Sequence, residues 1–197
     1  MDRHYTVLST SRINEELGFH LPSRGNHHPV TLDMPAQYVM TDLKVTPAIT
    51  IDIHSNLSDA NQKMLSQQVR MLLITEQANK IAGTITATDI LGEKPVLFMH
   101  QNAVAHHDVA VEDLMIKTED LDVIQMTDIQ NACVGDIVET LKRQGRQHAI
   151  VTDTTVEGTS VIRGIFSSSQ ISKQLGTAID MSSKVHSFAE LEHALFA

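Results

Sequence analysis

The sequence predicts a mixed α/β fold (α+β) of two β-α-β-β-α repeats packed about a pseudo-twofold axis. Three observations carry this. The chain repeats itself: Val69-Arg70-Met71-Leu72-Leu73-Ile74-Thr75, a polar turn and Ile81-Ala82-Gly83-Thr84-Ile85-Thr86-Ala87-Thr88-Asp89-Ile90 are echoed further on. The echo is Arg146-Gln147-His148-Ala149-Ile150-Val151-Thr152, a longer turn and Ile162-Arg163-Gly164-Ile165-Phe166-Ser167-Ser168-Ser169-Gln170-Ile171. Each hairpin is preceded by an amphipathic helical pattern. Finally, one repeat is too small to bury both faces of its sheet, whereas two packed sheet to sheet do so and leave clefts between them.

The elements follow in order. Residues 1–37 read as an amino-terminal arm, with Pro22, Pro29 and Pro35 and four of the eleven histidines. The first repeat spans 38–95. Ile49, Ile51 and Ile53 alternate with Thr50 and Asp52, a half-buried strand. Ser55, Asn56 and Ser58 start a helix whose apolar stripe takes in Leu57, Ala60, Met64, Leu65 and Gln68. Met71 to Thr75 is a buried strand, Asn79 the expected left-handed turn residue, and Ile81 to Thr86 the partner strand. Thr88 and Asp89 open a short helix that ends near Gly92 and Pro95. Residues 96–110 connect the repeats, and the whole stretch from 92 to 112 reads as an irregular surface crossing.

The second repeat spans 111–179. Asp113-Leu114-Met115 echoes Tyr38-Val39-Met40. Asp122 to Met126 is its first strand, and Val134 to Gln144 its helix, apolar at Val134, Ile137, Val138 and Leu141. His148 to Thr152 and Val161 to Ser167 form its hairpin, and Gln170 to Leu175 its closing helix. Equivalent positions lie 75 residues apart at Met40 and Met115 and 81 apart at Gly83 and Gly164, so the copies differ by turn insertions. A carboxy-terminal helix is expected within 180–197, with Ser187 as cap and Phe188, Leu191, Leu195 and Phe196 apolar.

Composition narrows the function. A net charge of −9 argues against nucleic-acid binding, which needs a basic face, but leaves room for a small anion held by a few donors. Cys133 is the single cysteine, so no internal disulfide forms; with no signal peptide, a reducing cytoplasmic setting is expected. No stretch approaches the ~20 apolar residues of a membrane span. His27-His28 and His106-His107 are adjacent pairs, which face opposite ways on a strand, so no metal is expected. Neither Cys133 nor Ser167-Ser168-Ser169 sits in a nucleophile pattern, and no catalytic residues are expected.

The two hairpin runs, each a glycine, apolar residues and a hydroxyl followed by an acidic or amide residue three positions on, resemble a tandem pair of cystathionine β-synthase (CBS) domains, a Bateman module. The resemblance covers roughly Tyr38 to Leu175. It implies a stand-alone, bacterial-type, non-catalytic regulatory protein binding an adenine nucleotide or adenosyl ligand (AMP, ADP, ATP or another) between the repeats. It also implies a homodimer, with apolar positions of the helices Leu57 to Gln67 and Val134 to Gln144 as part of the interface, and an unknown protein partner. In the first site it implies Asp89 for the ribose, Thr86 and Thr88 beside it, and Arg70 toward phosphate. The chemistry is apt: a carboxylate accepts from two vicinal hydroxyls, and a hydroxyl with free N–H groups at a helix start favours an anion. In the second site Ser167 keeps the hydroxyl, Gln170 replaces the acid, and Arg146 and His148 flank Gln147 at the position of Arg70. Gln170 loses the charge-assisted bond, so the first site ranks ahead. Plainer roles stand beside these. Asp89 serves equally as a helix cap, Thr86 as a strand residue and Arg70 as a solvated charge. The rival to the sensor is a ligand-free dimeric scaffold of the same fold.

Overall fold

The computed structural model describes residues 30–77 and 80–180. Asn79, His27-His28, most of the 1–37 arm and the helix expected from Ser187 to Phe196 lie outside the described residues. The first half carries β1 (Thr41–Asp42), β2 (Thr50–Asp52), α1 (Leu57–Gln67), β3 (Met71–Glu76), β4 (Lys80–Thr86), α2 (Ala87–Leu91) and α3 (Lys94–Asn102). The second half carries α4 (Val111–Leu114), β5 (Ile116–Lys117), β6 (Val123–Gln125), α5 (Met126–Ile129), α6 (Val134–Gln144), β7 (His148–Thr154), β8 (Ser160–Ser167) and α7 (Ser168–Leu175).

The strands form two four-stranded sheets, β2-β3-β4-β5 and β1-β8-β7-β6. In each, a parallel pair is joined across a helix, β2 to β3 through α1 and β6 to β7 through α6, and an antiparallel hairpin follows. The repetition extends to fine detail: both hairpins shift register at equivalent points, between Ile74 and Thr75 and between Val151 and Thr152.

Period-two alternation divides each apolar run between two interfaces. Leu72 and Ile74 of β3 face the first helical layer, with Leu57, Ala60, Met64, Ile85 and Ile90. Met71 and Leu73 face the other sheet, where they meet Ile150, Ile162 and Ile165. In the second copy Ala149 and Val151 pack with Val134, Ile137, Leu141 and Phe166, and Ile150 faces the opposite sheet. The sheets therefore bury each other's inner faces.

An exchange of edges interlocks the halves. The short strand β1, at the start of the first repeat, pairs with β8 of the second, and Arg163 holds Asp42 there in an ion pair (Nη2 to Oδ2, 2.9 Å). The short strand β5, at the start of the second repeat, pairs with β4 of the first. The core follows suit: Ala36, Val39 and Met40 pack into the second copy, and Val109, Val111 and Leu114 into the first. The repeat glycines gain their reason here. Gly83 lies opposite Lys117 of β5, where a Cβ would overlap the Ile116 carbonyl, and Gly164 lies opposite Asp42 of β1, against the Met40 side chain.

Several expectations are corrected. The stretch from 92 to 112 is not wholly irregular, because α3 occupies Lys94–Asn102 with Pro95 in its first turn, where a missing N–H costs no hydrogen bond. Gln68 is off the apolar stripe; it closes α1 in the left-handed region at φ 55°. Leu65 also leaves the stripe and is 71% exposed. The apolar positions expected at a dimer face, among them Leu57, Met64, Val134, Ile137 and Leu141, are buried within their own copies.

Candidate functional site

Two clefts lie between the copies, related by the same pseudo-symmetry. Each is built from the hairpin end and helix start of one copy and the strand start of the other. The smaller, about 230 Å³, joins Thr84, Thr86, Thr88 and Asp89 to Arg146, Gln147 and His148, with Asp122 at one side. The larger, about 420 Å³, joins Ser167, Ser169, Gln170 and Lys173 to Arg70 and Met71, with Thr41 and Thr46 from the lead-in to β2.

This geometry regroups the expected residues. Asp89, Thr86 and Thr88 come together, but Arg70 does not join them; it lines the larger cleft with Ser167 and Gln170. Arg146 lines the smaller cleft, and His148 lines both. The reason is main-chain pairing. The Arg70 carbonyl accepts the Ala87 N–H at 2.9 Å and the Gln147 carbonyl accepts the Ser168 N–H at 2.9 Å, so backbones meet within a copy while side chains reach into the neighbouring cleft.

Asp89 is both cap and cleft wall. It is 6% exposed. Its Oδ2 accepts from the Thr86 N–H at 2.9 Å and the Thr86 hydroxyl at 2.6 Å, and the Asp89 N–H donates back to Thr86 Oγ1 at 3.3 Å. Its other oxygen is held by the Lys94 ammonium. The second carboxylate of this cleft, Asp122, pairs with Arg146 at 3.0 Å. Charge in the smaller cleft is thus balanced by its own neighbours.

The larger cleft differs. Among the described residues no carboxylate lines it, and neither Arg70 nor Lys173 forms an ion pair. Four hydroxyls also line it, those of Thr41, Thr46, Ser167 and Ser169, with the Ser167 and Ser169 Oγ atoms 3.0 Å apart. Thr41 donates to Gln170 Oε1 at 3.1 Å, which engages the carbonyl end of that amide. Ile49, Val69, Leu73 and Ile165 give an apolar wall.

His148 stands between the clefts as the repeat partner of Met71, each opening the inner strand of its hairpin. Burial first, then the Arg70 guanidinium, push its imidazole from 6.5 down to about 4, against the opposing pull of Asp89. Its Nδ1 is buried without a hydrogen-bond partner.

Lys94, Lys173, Asp122 and Thr41 were not expected at these sites. Lys173 could have been found, since it follows Gln170 by three positions on one helix face. Thr41 and Lys94 had no such signal, because they arrive through the exchanged edge strand and through α3.

Comparison places this architecture. Residues 39–95 match the family model of the CBS domain. A conserved CBS domain protein of Thermoplasma acidophilum has a similar structure, with a TM-score of 0.51 at 15% identity over 82% of this chain and 74% of that one. So does CBSX2, solved in complex with AMP, with a TM-score of 0.50 at 16% identity over 71% of this chain and 94% of that one. A curated homoserine O-acetyltransferase of Methanobrevibacter ruminantium is 27% identical over 137 residues, 70% of this chain; the chain spans about a quarter (24%) of that protein's length. The match to the CBS domain covers residues 39–95, and the chain as a whole shares the fold of these two solved structures.

Proposed function

We propose that this chain is a non-catalytic regulatory module that binds an adenine nucleotide or adenosyl ligand between its repeats and passes a conformational change to a protein partner. The observation that carries this reading is the larger cleft: two cations without ion-pair partners among the described residues, four hydroxyls, an apolar wall and no lining carboxylate, in a chain of net charge −9. An anionic ligand with an apolar ring system suits that lining. The reading therefore places the phosphate beside Arg70 and Lys173 rather than at Asp89. CBSX2, solved with AMP, supports an adenosyl ligand. The match to a quarter of a much longer enzyme fits a module that can also be joined to a catalytic unit. Ligand bridging the copies would favour one arrangement of the pair and change the surface offered to a partner.

A homodimer in a reducing, cytoplasmic setting completes the proposal. Among the described residues no helix is long and apolar enough to cross a membrane. Leu65, Leu91, Val96 and Leu97 are each more than half exposed on the helices of the first copy, and they supply the apolar area that the buried stripes do not.

A thermal-shift panel of AMP, ADP, ATP, S-adenosylmethionine, NAD, guanine nucleotides and cyclic dinucleotides tests the reading. A ligand at 100 times its Kd stabilises the native state by about 2.7 kcal/mol. A shift that Arg70→Gln removes supports the larger cleft. A shift that only Asp89→Ala removes would move the ligand to the smaller one. A second reading, the ligand-free scaffold, is favoured by the internal engagement of Asp89 with Thr86 and Lys94 and of Gln170 with Thr41. No shift across the panel would favour it.

A further inference from the structure

We propose that the larger cleft selects a multiply charged anion and that His148 enters this site as its third cation, taking up a proton as the anion seats beside Arg70 and Lys173. This rests on the reading of the cleft given above and adds the charge state of its ligand and a regulating residue.

Position comes first. His148 belongs to the wall shared by both clefts, and its repeat partner there is Met71, which cannot titrate. One copy has thus placed an ionisable ring where the other has a thioether. The charged groups around it are Arg70 and Lys173 on the side of the larger cleft, and Asp89, Asp122 and Arg146 on the side of the smaller. The last three are not equivalent players. Asp122 and Arg146 cancel each other at 3.0 Å, and Asp89 is shared with Lys94. Arg70 and Lys173 have no ion-pair partner among the described residues, and Arg70 repels a proton on His148.

An anion beside Arg70 reverses that field. It neutralises the guanidinium and adds its own attraction for a proton on the ring. Burial and then Arg70 hold His148 near 4, so the ring is neutral at physiological pH. If the ligand's charge restores an ordinary value of 6.5, linkage requires affinity to gain about fourfold at pH 6 and almost nothing at pH 8. The same calculation gives uptake of about three-quarters of a proton at pH 6. A singly charged or cationic adenosyl compound cannot produce this gain, because it cancels Arg70 at most. The device makes the cleft favour polyphosphates as pH falls.

The test is titration calorimetry with ADP as probe, at pH 6 and pH 8, in two buffers of different ionisation enthalpy. ADP titrates near pH 6 itself, so the readout is the difference between the native protein and His148→Met, which copies the repeat partner. Native protein should take up about three-quarters of a proton more than the variant at pH 6 and bind about fourfold tighter there. The two should match at pH 8. ADP binding with equal proton uptake in both proteins would overturn the role of His148 and leave nucleotide binding standing. ADP binding to neither protein at either pH would instead overturn the reading of the cleft, and this inference with it. His148→Gln, polar and non-titrating, guards against a packing defect in the methionine variant: it too must lose the pH-dependent difference.

Discussion

Gln68 and Gly145 show how much one residue can differ at equivalent places. They close α1 and α6, both in the left-handed region, at φ 55° and 61°. Glycine adopts that conformation without a Cβ clash, and an L side chain there costs about 1 kcal/mol. Gln68→Gly is expected to raise unfolding stability by about 0.5–1 kcal/mol in chemical denaturation; a loss would mean that the Gln68 side chain, at the rim of the larger cleft, contributes more than its backbone costs. His148 carries a second prediction at this scale. Its imidazole is held down at about 4 against 6.5 when unfolded, so between those values the unfolded chain binds more protons than the native one. Stability must therefore fall as pH drops from about 6.5 toward 4, by up to roughly 3 kcal/mol, and be flat with respect to this group above 7. His148→Met should flatten the denaturation midpoint across that window. An unchanged acid slope would show that other groups dominate it.

At the scale of elements, the exchanged edge strands explain the two repeat glycines differently. Gly83 has the Ile116 carbonyl against it, and backbone cannot step aside. Gly164 has the flexible end of Met40, which can. Gly83→Ala should therefore cost about 1–3 kcal/mol and exceed the cost of Gly164→Ala; equal losses in thermal denaturation would count against the edge exchange as the cause. The start of α2 is a second case. Asp89 and Thr86 cap each other, and Lys94 from α3 completes the group. Asp89→Ala should cost about 1 kcal/mol whether or not a ligand binds. Since Lys94 is half exposed, it can return to water, and no buried charge is stranded. A binding defect in this variant counts as evidence for ligand contact only after that loss is subtracted.

For the whole molecule, the interlocked halves make a prediction about folding. Val109, Val111 and Leu114 complete the first core, and Ala36, Val39 and Met40 complete the second. A chain cut between residues 102 and 106 leaves each half short of strand and core residues that the other supplies. Neither half should melt cooperatively alone, and mixing them should restore a transition seen by circular dichroism. Cooperative melting of an isolated half would contradict the shared core. Assembly is tested by sedimentation: the dimer should run at twice 21.8 kDa, and Leu91→Glu with Leu97→Glu should return it to monomer without loss of melting temperature.

The sequence by itself determined the repeat, the order of strand, helix, strand, strand and helix in each copy, and the class of fold. Those depend on local periodicity: alternation marked β2, spacings of three and four marked α1 and α6, and short apolar runs marked β3 and β7. Its resemblance to a CBS pair also named Asp89, Thr86, Thr88, Arg70, Ser167, Gln170, Arg146 and His148 as site candidates. Tertiary structure alone decided which of them share a cleft, because side chains on one copy line the cavity completed by the other. It alone brought in β1 and β5, two residues each and too short to leave a periodic signal, and with them the close approaches at Gly83 and Gly164. And it alone revealed the contrast between a smaller cleft whose carboxylates are already paired and a larger one whose cations have no ion-pair partner among the described residues. That contrast depends on which charges the packing brings together, Lys94 of α3 onto Asp89 and Arg146 onto Asp122, which no local pattern encodes.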